Sequence, residues 1–315
     1  MKNFLTIASR YGIVIAFVAI FLALSLLNEY FLTVGNLSNV LLQTSINGIL
    51  AIGMTFVILA AGVDLSVGSV LALAGMVAAS FVGEDALTPN LWLALGAGLA
   101  VSVACGALSG ALIAGFKLPA FVVTLGMLSA ARGAVQIWND GMPVAGLDPA
   151  FLYIGEGRLF GIPLPVLIFL SLFLIGWWIL RYTRFGRYVY AVGGNEKSAK
   201  TSGISTRLIL ASVYSICGLC AGIAGIVLTA RTTSALTQSG IGYELDAIAA
   251  VVIGGTSLSG GVGSLTGTLF GALIIGVINN GLDLLGVSSY YQQVIKGIVI
   301  VCAVLLDTLS RRNSR

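Results

Sequence analysis

Covalent chemistry has few footholds in this chain. Histidine is absent, which removes Ser-His-Asp and Cys-His nucleophile systems and every metal site built on imidazole. Cys105, Cys217, Cys220 and Cys302 each lie inside an apolar run. Cys217-x-x-Cys220 has the spacing of a redox pair but lacks a strand-to-helix setting, so all four read as small packing residues. Gly254 to Gly263 is rich in glycine yet carries no lysine, unlike a phosphate-cradling loop. The chain is therefore expected to hold no metal and no cofactor of its own, and not to be an enzyme. What remains are isolated charges in apolar surroundings: Asp64 beside Ser66, Arg132 and Lys296. Asp64 with Ser66 is expected to cap a helix start, with a gating role as the other reading. Arg132 is expected to reach outward to an interface, and Lys296 either to do the same or to pair with a carboxylate.

Such charges are rare because the chain as a whole is apolar: of 315 residues, 58% are hydrophobic and 9% charged, against roughly 25% charged in a soluble domain. Lipid must be its solvent. A helix needs about 20 apolar residues to cross about 30 Å of hydrocarbon. Runs of that kind span 11–27, 91–116, 118–137, 162–180, 208–230, 265–282 and 290–306. The stretch 46–82 is broken at Ala61-Gly62-Val63-Asp64 and reads as two short spans, 46–61 and 65–82. Residues 247–261 read as a short span or as a broken helix shielded by protein. The expected fold is an all-α, polytopic bundle of about ten transmembrane helices forming a single domain over 1–315. Glycines at small-xxx-small spacing, such as Gly106 and Gly110, Gly218 and Gly222, and Gly267 and Gly271, are expected to bring its helices close.

Charge orients the bundle. Alternating through ten spans from a cytoplasmic N-terminus places Lys2, Arg10, Lys117, six basic residues between Arg181 and Arg207, Arg311, Arg312 and Arg315 inside, and only Arg158 and Arg231 outside. That asymmetry follows the positive-inside rule and puts both termini in the cytoplasm. Most acids fall outside, among them Glu84, Asp85, Glu244 and Asp246. Because the net charge of +4 serves orientation, nucleic acid is not an expected partner. Nine spans follow the first, so that one reads as a retained helix rather than a cleaved signal.

The longest internal connection, Arg181 to Arg207, breaks at Gly193-Gly194-Asn195. Asn195 is placed to cap a short helix from about Glu196 to Ser202, stopped by Gly203. Composition alone reads this segment as a basic loop that fixes orientation or touches anionic lipid.

Several motifs point further. Gly186-Arg187-Tyr188, Gly193-Gly194-Asn195-Glu196 and Ser202-Gly203-Ile204, together with 62–69, 242–258, 279–282 and 286–292, resemble the sugar permease subunits of bacterial ABC importers, the ribose-type branch. The resemblance covers about 30–306 and implies a type II importer permease bundle in the bacterial inner membrane. It implies pairing with a second copy, docking on cytoplasmic ATP-binding subunits that hold ATP and magnesium, and delivery of a monosaccharide by a periplasmic binding protein. It also makes 181–207 a coupling loop, with Gly186, Arg187, Gly193, Gly194, Asn195, Glu196 and Gly203 as its contact residues. The match to the Glu-Ala-Ala…Gly signature of importer permeases is loose, since Lys197 and Ser198 separate Glu196 from Ala199. A neutral sugar needs hydrogen-bonding groups along its path, and Asn47, Thr55, Asp64, Ser66, Asn279 and Asn280 are expected there, with Gln43, Thr44 and Gln292 beside them. For each the alternative is an interhelical hydrogen bond. The external acids Glu84, Asp85, Glu244 and Asp246 are expected to meet the binding protein. The competing reading for the whole chain is an ion-coupled secondary sugar transporter.

Overall fold

The structure, a computed structural model, describes residues 2–86 and 88–312, without the side chains of 2–11, 299, 300, 302–304 and 306–312. Of the residues named above, Arg315 lies outside the described residues, as do the side chains of Lys2, Arg10, Cys302, Arg311 and Arg312.

Helices dominate. In chain order they are α1 (Lys2–Leu27), α2 (Val34–Leu59), α3 (Val67–Ala79), α4 (Leu91–Phe116), α5 (Ala120–Trp138), α6 (Pro149–Glu156), α7 (Leu164–Tyr182), α8 (Arg184–Gly194), α9 (Glu196–Thr201), α10 (Thr206–Arg231), α11 (Tyr243–Ile253), α12 (Leu265–Leu284) and α13 (Ser289–Arg312). A two-strand antiparallel hairpin, β1 (Arg158–Leu159) with β2 (Ile162–Pro163), joins α6 to α7. Among the described residues, six helices, α2, α4, α5, α7, α10 and α12, are long and apolar enough to cross a membrane.

The spans depart from the expected bounds in two places. The second span begins at Val34 rather than at 46. Its first half carries Asn36, Ser38, Asn39, Gln43 and Thr44, polar residues on a continuous helix capped by Thr33, whose hydroxyl accepts from the Asn36 N–H. Conversely, α3 has 13 residues and α11 has 11, so they rise only about 20 Å and about 16 Å. Both are half-length helices; all of α3 is buried, and α11 is buried along Asp246, Ala247 and Ala249 to Val252.

Their positions are fixed by close backbone contacts. Gly62 abuts the Tyr214 hydroxyl, whose O–H donates to the Val63 carbonyl at 3.2 Å. Gly225 lies against the backbone of Leu71, and Gly75 against the Thr229 hydroxyl. The turn after α2 therefore lies roughly 12 Å along α10, and α3 runs beside the second half of that helix. Gly68 at its start meets Gly240 and Glu244. The segment before α11 thus folds inward until the first turns of α3 and α11 meet deep in the bundle. Arg132 on α5 holds that segment, donating from one guanidinium nitrogen to the carbonyls of Thr237 at 2.6 Å and Ser239 at 2.9 Å. It does not extend to an interface, because these inward-facing carbonyls offer it partners.

The small-xxx-small pairs are internal. Gly106 and Gly218 face each other, Gly222 meets Ser102, Gly110 lies on Ala211, Gly267 meets Gly254, and Gly271 meets Ala250. Where hydrophobic drive between helices is weak, such backbone approach supplies packing. Cys217 and Cys220 are buried and free, packed against Gly53, and Cys105 is half-buried and free.

Candidate functional site

At the basic end of the bundle, 181–207 is built from two helices, where the sequence suggested one. Thr183 makes the elbow after α7: its hydroxyl donates to the Ile179 carbonyl at 2.7 Å and accepts from the Gly186 N–H at 3.1 Å. Gly186 lies on the backbone of Ile179 and Leu180, where a side chain would not fit. Beyond it α8 is amphipathic: Val189 and Val192 are buried, Phe185 packs near Phe56, and Arg187 and Tyr188 are exposed. Its charged and aromatic letters obscure that 3.6-residue pattern, and its helical state was missed in sequence. The short α9 forms as expected. Asn195 accepts from the Ser198 N–H at 2.9 Å, and Gly203 ends the turn with φ +82°. Glu196 is tied to the start of α10, its carboxylate accepting from the Thr206 hydroxyl at 3.2 Å.

This elbow grips the core through glycine. Gly193 is buried against the Leu59 carbonyl at the end of α2 and against the Gly261 N–H. Gly261 donates its own N–H to that Leu59 carbonyl at 2.9 Å. The Tyr190 hydroxyl donates to the Gly263 carbonyl at 3.1 Å. Burial pushes the Tyr190 phenol above its ordinary value, with Arg181 partly opposing, so it stays a neutral donor. Gly194, by contrast, is exposed, and a Cβ there would meet nothing. Between this elbow, the α4–α5 turn and the foot of α10 lies a cleft of about 810 Å³, lined among others by Lys117, Asn195, Glu196, Lys197, Lys200 and Arg207. Four cations against one carboxylate give it a net positive lining.

The pathway residues separate into distinct settings. Asn280 exchanges both hydrogen bonds with Asn36, at 3.0 and 2.8 Å, joining α12 to α2. The Thr55 hydroxyl lies 2.9 Å from that of Thr268 and donates to the Ala51 carbonyl at 2.6 Å. Asp64 is buried and accepts from the Ser66 N–H at 2.9 Å and hydroxyl at 2.6 Å. It shapes the turn before α3, while Ser66 at the cap position makes no side-chain bond to the helix. Gln292 donates to the Asp283 carboxylate at 2.7 Å. Asn47 and Asn279 instead converge on Asp246.

Asp246 corrects the sequence reading most. It is buried on the first turn of α11, and Lys296 pairs with it at 2.9 Å. An acid read as part of an external loop is thus an internal one, because the preceding segment folds inward. Glu244 is also partly buried, beside Gly68, whereas Glu84 and Asp85 are exposed. Of the carboxylates expected to face a binding protein, only the latter two are freely placed to do so.

Comparison with known proteins bears on what this architecture is for. The chain is 50% identical over 297 residues to the ribose import permease protein RbsC of Escherichia coli (strain K12), covering 93% of this chain and 92% of that one. It is 48% identical to RbsC of Bacillus subtilis (strain 168), over 90% and 88% of the two chains. To the D-allose transport system permease protein AlsC of Escherichia coli (strain K12) it is 42% identical, over 98% and 94%. No solved structure matches the chain. Residues 36–304 match the family model described as branched-chain amino acid transport system / permease component. With half-length helices inside a bundle of apolar ones and a match that spans nearly its whole length, the chain belongs to that family of membrane permeases.

Proposed function

We propose that this chain is the membrane-spanning subunit of a binding-protein-dependent ABC importer that carries a monosaccharide, ribose or a related pentose or hexose, into the cytoplasm. The observation that carries the reading is its 50% identity to a ribose import permease over 93% of its length. In the complex two copies pair, and both termini and the cleft at the basic end face the cytoplasm. An ATP-binding subunit docks on α8 and α9, where Lys197, Lys200 and Arg207 meet its acidic rim. ATP and magnesium are held by that partner. The opposite end, with Glu84 and Asp85, receives the loaded binding protein.

Force then has a mechanical route. Closure of the ATP-bound partners moves α8, and Gly193 with Tyr190 passes that motion to the end of α2 and to 254–264. Those elements border the half-length helices, so the central path alternates between its two faces; hydrolysis resets it. An ion-coupled reading would start from the partly buried Asp246–Lys296 pair, since intramembrane charges often form ion pathways. Co-purification from native membrane followed by ATPase measurement separates the two readings. An ATP-binding partner whose turnover rises with sugar-loaded binding protein is expected; a chain that isolates alone and transports on an ion gradient would reverse the assignment.

A further inference from the structure

We infer that Asn47, Asp246, Asn279 and Lys296 form a hydroxyl-binding subsite for the transported polyol, half-way along the bundle. The inference rests on the importer reading and gives its path a chemical centre. Asn47 is the fourteenth of the 26 residues of α2, at mid-length. Asp246 opens the half-length helix α11, Asn279 comes from α12 and Lys296 from α13, so four elements place one polar group each at the same spot.

The hydrogen bonds are lopsided. One oxygen of Asp246, Oδ2, accepts from Lys296 Nζ at 2.9 Å and from the amide nitrogens of Asn47 and Asn279 at 3.5 Å each. Both amides thus turn their N–H groups toward the carboxylate and their carbonyl oxygens away. Among the described residues, neither carbonyl oxygen has a donor, although both are buried and Asn47 is only 8% exposed. Buried acceptors of this kind are normally satisfied. The Asn36–Asn280 pair shows what a purely structural amide contact looks like here, with each side chain satisfying the other.

Two acceptors without donors, beside an ammonium with further N–H bonds to give, complement adjacent sugar hydroxyls: each hydroxyl donates to an amide carbonyl and accepts from Lys296. The pair of charges is internally neutralised, which suits a neutral polyol better than an ion. Lys296 is 27% exposed while Asp246 is 4% exposed, so the cluster opens through its lysine.

The test uses the complete importer with its ATP-binding subunit and binding protein. Wild-type ATP-dependent D-ribose uptake is established first; its failure counts against the importer reading and is recognisable before any variant is made. Asn47→Leu and Asn279→Leu are then expected to lower uptake at least tenfold per permease copy, at unchanged membrane abundance, with Asn279→Ser retaining more than Asn279→Leu. In detergent, D-ribose at high concentration is expected to slow thiol labelling of an Asn279→Cys variant, and L-leucine not to. Wild-type uptake in both leucine variants would overturn the subsite, as would protection by leucine but not ribose. Recovery of uptake in the swapped pair Asp246→Lys with Lys296→Asp would also overturn it, since a mere bridge between helices tolerates reversal.

Discussion

Asn36 and Asn280 lie on α2 and α12, 244 positions apart, and exchange two hydrogen bonds. A double-mutant cycle with Asn36→Leu and Asn280→Leu should give a coupling of about 0.6 kcal/mol, and not above about 1.7 kcal/mol. Reversible unfolding in mixed micelles measures it, and zero coupling would mean the pair holds nothing together. Glycine contacts carry more. Gly225→Leu would drive a side chain into the Leu71 backbone and should cost about 1–3 kcal/mol by overpacking. Gly126→Ala, whose Cβ would meet nothing within 4 Å, should stay within about 0.5 kcal/mol. Equal shifts in thermal midpoint for the two would refute the packing assigned to Gly225. At this scale the sequence was readable where a residue acts on its own neighbours, as Asn195 does in capping α9. It was opaque where the partner is remote. Nothing local links Asp246 to Lys296, and the polar letters of Asn36 and Asn280 look the same as those of Asn47 and Asn279.

Among elements, the joint between α8 and the end of α2 matters most for coupling. Gly193 has no room for a side chain, whereas Gly194 beside it does. In membranes containing the assembled importer, Gly193→Val should therefore leave ATP turnover measurable but reduce sugar uptake several-fold, while Gly194→Ala should transport normally. Matching uptake in the two variants would contradict the joint. Tyr190→Phe, which removes only the bond to Gly263, should have a smaller effect in the same assay. Arg132 pins the inward-folded segment before α11 through two carbonyls. Its replacement by Ala should raise hydrogen exchange across 232–242 and leave α10 protected; unchanged exchange would show the clamp to be idle. Long apolar helices such as α4 and α10 were visible by length and hydropathy alone. The half-length pair was visible only as interruptions, since eleven or thirteen mostly apolar residues fit a short crossing and a buried half-helix equally well. Only packing against Tyr214, Gly225 and Gly240 decides between them.

For the whole molecule, orientation and energy supply are the claims at stake. Cysteine introduced at Lys197 should react with an impermeant thiol reagent only when the cytoplasmic face is open, and cysteine at Asp85 only from the other side; the reverse pattern would invert the bundle. The proposed orientation rests on the clustering of basic residues through the positive-inside rule. The proposed source of energy rests on the resemblance to ribose import permeases. The most direct measurement is sugar accumulation in proteoliposomes holding this chain with its ATP-binding partner and binding protein. The account predicts accumulation that requires nucleotide and every component, and that ignores dissipation of proton and sodium gradients. Accumulation by the purified chain alone, driven by such a gradient without nucleotide, would contradict it.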